Sequence, residues 1–145
     1  MDAETIFSKV QSILENNATL AAYVVEVFPG DRPADSRDLF PNITIEVQAN
    51  PTERVKNNRR EKKLSLLIAP AILIQDKDKQ IIGDATFKGI MDIEKDTYAA
   101  LAAYYPDLDA TCLYFQLSTM AYPELESANG RVCLIQGDFY YLEAV

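Results

Sequence analysis

The 145-residue chain has no histidine and no tryptophan, only two cysteines and only five glycines. Each shortage removes a class of chemistry. Without imidazole there is no Ser-His or Cys-His catalytic pair, no histidine metal ligand, and no side chain whose ordinary pKa lies near neutrality. Two cysteines, Cys112 and Cys133, cannot build a four-thiolate zinc site. The glycines fall into neither GxGxxG nor GxxxxGK spacing, so no phosphate-cradling loop is present. Long apolar runs are missing too. The longest, Leu64 to Ile74, is broken by Ser65 and Pro70 and falls short of the ~18 residues of a membrane span. The N-terminal MDAETIFSKV has acids where a secretory leader needs positive charge. We therefore expect a soluble chain made in a cytosol, with Cys112 and Cys133 as reduced core thiols rather than a bridge.

What is present suits an ordinary globular fold. Hydrophobic residues make up 48% and charged residues 25%, and the length fits one domain over 1–145. Asp2 is a plausible N-cap, and Ile6, Val10, Ile13 and Leu14 recur at helical spacing up to Asn16-Asn17, with Thr19 capping one further turn. YVVEVF, from Tyr23 to Phe28, reads as a short strand before Pro29-Gly30, and Asp31 to Pro41 reads as a loop. From Asn42 to Gln48 the pattern alternates, with Ile43, Ile45 and Val47 on one face. Leu64 to Gln75 is a long strand in which Pro70 demands a bulge or an edge. Asp76 to Lys79 is a charged turn.

Ile90, Ile93, Thr97, Tyr98, Leu101 and Tyr105 share a helical face that Pro106 ends. Thr111 to Thr119 and Arg131 to Glu143 close the chain as strands, the second with a bulge expected at Gly137. The order predicts an α+β fold: a mainly antiparallel sheet of about five strands, two helices packed on one face, and a long protruding β-hairpin turning at Asn57-Asn58.

The candidates for catalysis are all carboxylates. Asp76 and Asp78 alternate with lysines. Asp92 and Asp96 share a helix face near Lys88 and Lys95, a pattern of solvated, salt-bridged surface. Asp107 and Asp109 flank a turn and suit local backbone bonding. None of this forms a catalytic constellation, a cofactor site or a metal set, so we read the chain as no enzyme, with no cofactor.

Charge is the anomaly. The net charge is −8, yet Arg54, Lys56, Arg59, Arg60, Lys62 and Lys63 face only Glu61 within ten residues. That segment carries +5 and leaves −13 on the other 135 residues. It reads either as a solvated hairpin tip or as a docking arm for an acidic surface. No aromatic lies within it, which argues against base stacking, and an acidic chain repels nucleic-acid phosphates. Tyr104, Tyr105, Tyr114, Phe115, Tyr122, Phe139, Tyr140 and Tyr141 crowd the last third. With aromatics on both faces of the final strand, one sheet face points to a covering partner.

The short helix ending in ILENNATLAAYV, the Pro-led strand LFPNITIEV, the charged hairpin and the stretch GIMDIEKDTYAALAAYYPDL together resemble the tail terminator (tail completion) proteins of long-tailed bacteriophages. The resemblance implies a structural virion protein that forms a ring, of six copies in that family. The ring caps the tail tube, ends its polymerisation and offers the head-docking surface. Its partners would be copies of itself, the tail tube protein and a neck or connector protein, with DNA passing through the lumen without specific binding, and no membrane. The basic residues Arg54, Lys56, Arg59, Arg60, Lys62 and Lys63 are the candidate interface. The alternatives are a neck or head–tail connector subunit, and a small adaptor that binds an acidic partner through the basic tip.

Overall fold

In the computed structural model, Asp2 opens the first helix: its carboxylate accepts from the Thr5 amide at 2.7 Å, which supplies a partner for one orphan amide of the first turn. Helix α1 (Ala3–Asn16) buries Ile6, Val10, Ile13 and Leu14, the face expected from their spacing. Asn17 has an extended backbone rather than a left-handed one. It serves two helices, because its amide donates to Ile13 O and its side chain accepts from the Leu20 amide. Asn17, and not Thr19, therefore caps the one-turn α2 (Ala18–Ala21). The structure describes residues 1–32, 39–56, 59–74, 77–125 and 129–144, with side chains described outside 49–60 and 144.

The sheet has six strands: β1 (Glu26–Pro29), β2 (Asn42–Lys56), β3 (Arg59–Leu73), β4 (Tyr114–Ala121), β5 (Gly130–Val132) and β6 (Leu134–Ala144). Their order is β1-β2-β3-β6-β4, with β5 beside the end of β3. Only β1 and β2 run parallel; the other pairings are antiparallel. The first strand is shorter than YVVEVF suggested, because the amides of Tyr23 and Val24 are used by Leu20 O to close α2. The strand count exceeds five because the last strand is split. Val132 and Cys133 are both buried, so the alternation slips there rather than at Gly137. Gly137 lies in unbroken register with Leu66 and Leu117. A Cβ there would sit 2.8 Å from the Phe139 ring, which is why glycine occupies the position.

The break at Cys133 also resolves the proline in β3. Pro70 O accepts from the Cys133 amide at 2.9 Å, so the missing N–H of Pro70 faces the junction between β5 and β6. The expected irregularity lies in the neighbouring strand.

Two further helices, α3 (Asp78–Ile81) and α4 (Ile90–Ala102), complete the described elements. Thus α1 and α4 are the two long helices anticipated, joined by two one-turn pieces. Ile90, Ile93, Ala100 and Leu101 of α4 pack with the α1 face against Ile43, Ile45, Leu64, Leu66, Ile68, Phe115, Ile135 and Phe139 of the sheet. Val47 is 55% exposed despite its phase, because the register of β2 shifts directly after it. Helix α4 ends at Ala102, short of Pro106. Leu108, Asp109 and Ala110 then take left-handed φ of 51°, 60° and 63°, a turn in which Leu108 is fully buried and Tyr105 is left in solvent.

On the opposite sheet face a smaller cluster of Ala69, Ala71 and Val132 lies under Phe40, Leu125 and Leu134. Arg32 closes it from the side, its Nε donating to Asn42 Oδ1 at 2.6 Å and its Nη2 to Ala69 O at 3.1 Å.

Phe115 is the test of the main core. It is 2% exposed, stacks on Phe139 at 5.4 Å and meets Tyr105 edge-on at 5.5 Å. Phe115→Ala should lower the unfolding free energy by about 3–5 kcal/mol, while the neighbouring exposed Gln116→Ala should stay within about 0.5 kcal/mol. Urea unfolding of the two variants checks this, and equal effects would contradict the assignment of faces along β4.

Candidate functional site

Both described halves of the basic segment are strand. Strand β2 runs on to Lys56 and β3 begins at Arg59, opposed in register. Asn57-Asn58, the expected turn, lies outside the described residues. The arm is also not a lone hairpin. Strand β6 follows β3 outward, pairing Lys63 with Tyr140, Lys62 with Tyr141, Arg60 with Glu143 and Arg59 with Ala144. Three strands therefore form the arm.

That third strand changes the charge. Register opposes Arg54 to Glu61, Lys62 to Glu53 and Arg60 to Glu143. Lys62 Nζ lies 3.5 Å from Glu143 Oε1, with side-chain exposures of 17% and 35%. A pair so placed at the surface contributes well under about 1 kcal/mol, but it fixes which charges are matched. Six cations now meet three carboxylates, so the arm carries +3 where the ten-residue window alone carries +5. At the outer end Lys56 stands opposite Arg59. Like charges directly across a ladder disfavour it, and this register sets two of the basic residues of the sequence against each other at the end of the arm. Glu143 lies 80 positions beyond Lys63, and no local pattern signals its approach.

Three of the candidate carboxylates, Asp92, Asp96 and Asp109, have structural work, and Asp76 lies outside the described residues. Asp92 Oδ2 accepts from the amides of Gly89 at 2.9 Å and Gly83 at 3.3 Å, which holds the start of α4. Asp96 accepts from Tyr23 O–H at 2.6 Å with Lys88 Nζ at 3.9 Å. Burial of the Tyr23 ring, together with Asp96, drives the phenol pKa far above its ordinary value. Asp109 pairs with Lys9 at 3.1 Å. The backbone carbonyl of Asp107, rather than its side chain, takes the amides of Thr111 and Cys112.

A polar cluster had no sequence signal. Glu94 on α4 accepts from Thr119 Oγ1 at 2.5 Å, Tyr122 O–H at 2.7 Å and Cys133 Sγ at 3.5 Å, and Tyr98 O–H meets Thr119 at 3.0 Å. These residues come from α4, β4 and the two loops next to β5, so the cluster ties the helix layer to the sheet. The Glu94 hydrogen bond pushes the Tyr122 phenol up to about 12. Asp31 beside Glu46 raises the Glu46 carboxyl pKa above its ordinary value despite nearby Arg32. Among the described residues no group of three or more Cys, Asp or Glu is placed to hold a metal ion. No helix among them is long and apolar enough to cross a membrane.

No protein-family model matches this sequence, and no curated protein sequence matches it. Among solved structures, a chain in the virion of a native gene transfer agent particle has a similar fold, with a TM-score of 0.50 and 14% identity. The alignment covers 97% of this chain and 97% of that one. The two share an architecture from end to end. At this identity the likeness is one of fold.

Cys112 and Cys133 are free and buried, as expected of core thiols. Burial, with Asp107 nearby, lifts Cys112 to about 11; burial, with Glu94 nearby, lifts Cys133 to about 12. Both hold their protons to higher pH in the folded state than in the unfolded chain. Their stabilisation is therefore complete below the ordinary thiol value near 9 and is lost as pH rises toward 11 and 12. Stability measured by urea from pH 8 to 11 should fall, each thiol adding at most about 1.4 kcal/mol per pH unit. Cys133→Ala should make that fall shallower. An unchanged slope would show that Cys133 is not shielded as described.

Proposed function

We propose that this chain is a structural subunit of a phage-like particle, acting as a tail terminator: a ring of copies, six as in the family it resembles, on the end of a tail tube. The observation that carries the reading is the likeness of fold across the whole length of both chains to a component of a gene transfer agent virion. The sequence resemblance of the helix, strand and hairpin segments points the same way. In this role the protein ends tube polymerisation and presents a docking surface to the neck or head, and its place is the virion, after assembly in the host cytoplasm.

Charge supports the arrangement. Six copies at −8 each make a strongly acidic ring, whose lumen lets DNA slide without sticking. The same charge opposes closure of the ring. Contact between the basic arm of one copy, with Arg54, Lys56, Arg59, Arg60, Lys62 and Lys63, and the acidic body of the next offsets that repulsion, and head-to-tail contacts close rings. No chemical step at any residue is part of this reading.

Reversing Arg59 and Arg60 to Glu tests it. The variant should keep its circular dichroism spectrum and lose the capacity to cap tubes, so that tubes grown in its presence have no defined length in negative-stain images. Wild-type protein should sit at one tube end and stop growth. Tubes that ignore the wild-type protein would exclude a terminator, and binding to the head side alone would assign it to the neck.

A further inference from the structure

A sheet edge with unpaired N–H and C=O groups invites another strand, and natural proteins protect such edges with proline, charge, bulges or short length. Most open edges here are protected. Strand β1 has four residues and ends in Pro29. Beyond β1, the outer edge of β2 carries Pro51, Glu53, Arg54 and Lys56 and two register shifts. Strand β5 is covered by a bridge from Glu124 to Arg131. Strand β4 differs. It is the last strand of the sheet, eight residues long, and YFQLSTMA contains neither proline nor charge. The surrounding stretch from Ala110 to Pro123 is free of charge over fourteen residues, in a chain that averages one charge in four. That stretch is not interior: Tyr114, Gln116, Ser118 and Met120 are exposed.

The start of this edge bears tyrosines, and the segment leading into it bears two aspartates. Tyr114 stacks on Tyr140 at 4.4 Å. Tyr105, 62% exposed, leans on Phe115 from the other side. Exposed Asp107 and Asp109 lie in the segment that joins α4 to β4, two and four positions after Tyr105. The segment between α4 and β4 already receives one cation. The Lys9 ammonium lies 5.4 Å over the Tyr104 ring and 3.1 Å from Asp109 Oδ2. Tyrosine faces and carboxylates attract ammonium and guanidinium groups, and Arg and Tyr are both enriched at the centres of interfaces.

We infer that the open edge of β4, with Tyr105, Asp107 and Tyr114 around it, is the acceptor surface for the basic arm of a second copy. The inference rests on the assembly reading above and names its missing half. Charge decides the occupant. The arm carries +3 with like charges opposed at its end, and the rest of the chain is strongly acidic. Two arms repel each other, as do two bodies. Arm on body is the one arrangement that relieves both, and it is head-to-tail.

Sedimentation velocity at low salt and rising concentration tests this with three proteins: wild type, the arm variant Arg59→Ser/Arg60→Ser, and the edge variant Asp107→Lys/Gln116→Lys. Asp107 and Gln116 are exposed and Arg59 and Arg60 open β3 far from Leu64, and circular dichroism verifies the fold. Wild type should sediment as more than a monomer, and each variant alone as a monomer. An equimolar mixture of the variants should stop at two chains, because one intact arm meets one intact edge and neither end can continue. If the edge variant assembles like wild type while the arm variant does not, the acceptor lies elsewhere and the assembly reading stands. If the mixture stays monomeric while wild type assembles, the head-to-tail contact is wrong. If wild type stays monomeric at every concentration, the assembly reading and this surface fall together.

Discussion

Strand β3 is the constraint on which the remainder of the structure depends. It has β2 on one side from Arg59 to Ala71 and β6 then β5 on the other. Its inner residues Leu64, Leu66 and Ile68 are at most 1% exposed and face the helices. The one donor it lacks, at Pro70, coincides with the break at Cys133 where β5 gives way to β6. A regular neighbour there would present an acceptor with nothing to bond, at a cost of about 1–3 kcal/mol. The break therefore protects the ladder, and it also passes β6 outward along the basic half of β3. The arm and the core are one strand seen at two ends.

That continuity gives the arm its stiffness and its charge pattern. A free two-stranded ribbon in water is marginal, whereas three strands anchored in a sheet hold their register. Register then determines which cations are matched. In register Glu61 faces Arg54, Glu53 faces Lys62 and Glu143 faces Arg60, while Lys56 faces Arg59 at the outer end. Meanwhile β4, at the far side of the sheet, has no charge with which to defend its edge. The basic segment at one end of β3 and the uncharged edge strand at the far side of the sheet are the two features on which the proposed contact between copies rests.

Much of this is legible in residues near one another along the chain. The buried face of α1, the alternation of Ile43 and Ile45, and the irregularity demanded by Pro70 follow from local periodicity and from the missing proline donor. The α+β layout and the positions of both long helices follow equally. What escapes is long-range. YVVEVF was shortened because Leu20 claimed two of its amides. Gly137 has the composition of a bulge, but the Phe139 ring fills the space its absent Cβ leaves, so the ladder runs straight through. Tyr105 has the phase of a core residue, yet the helix ends before reaching it. At the candidate site the cations were visible as a cluster. The pairing of Glu143 and the bareness of the β4 edge are products of strand order, which residues in isolation do not reveal.

Hydrogen exchange read as a function of protein concentration tests the central claim most directly, that two remote surfaces of one chain are made to meet between copies. On raising concentration at low salt, amides of 114–121 and of 52–56 and 59–63 should slow together, while those of α1 stay constant. Exchange that is independent of concentration at both segments, or protection gained at α1 and not at β4, would contradict it.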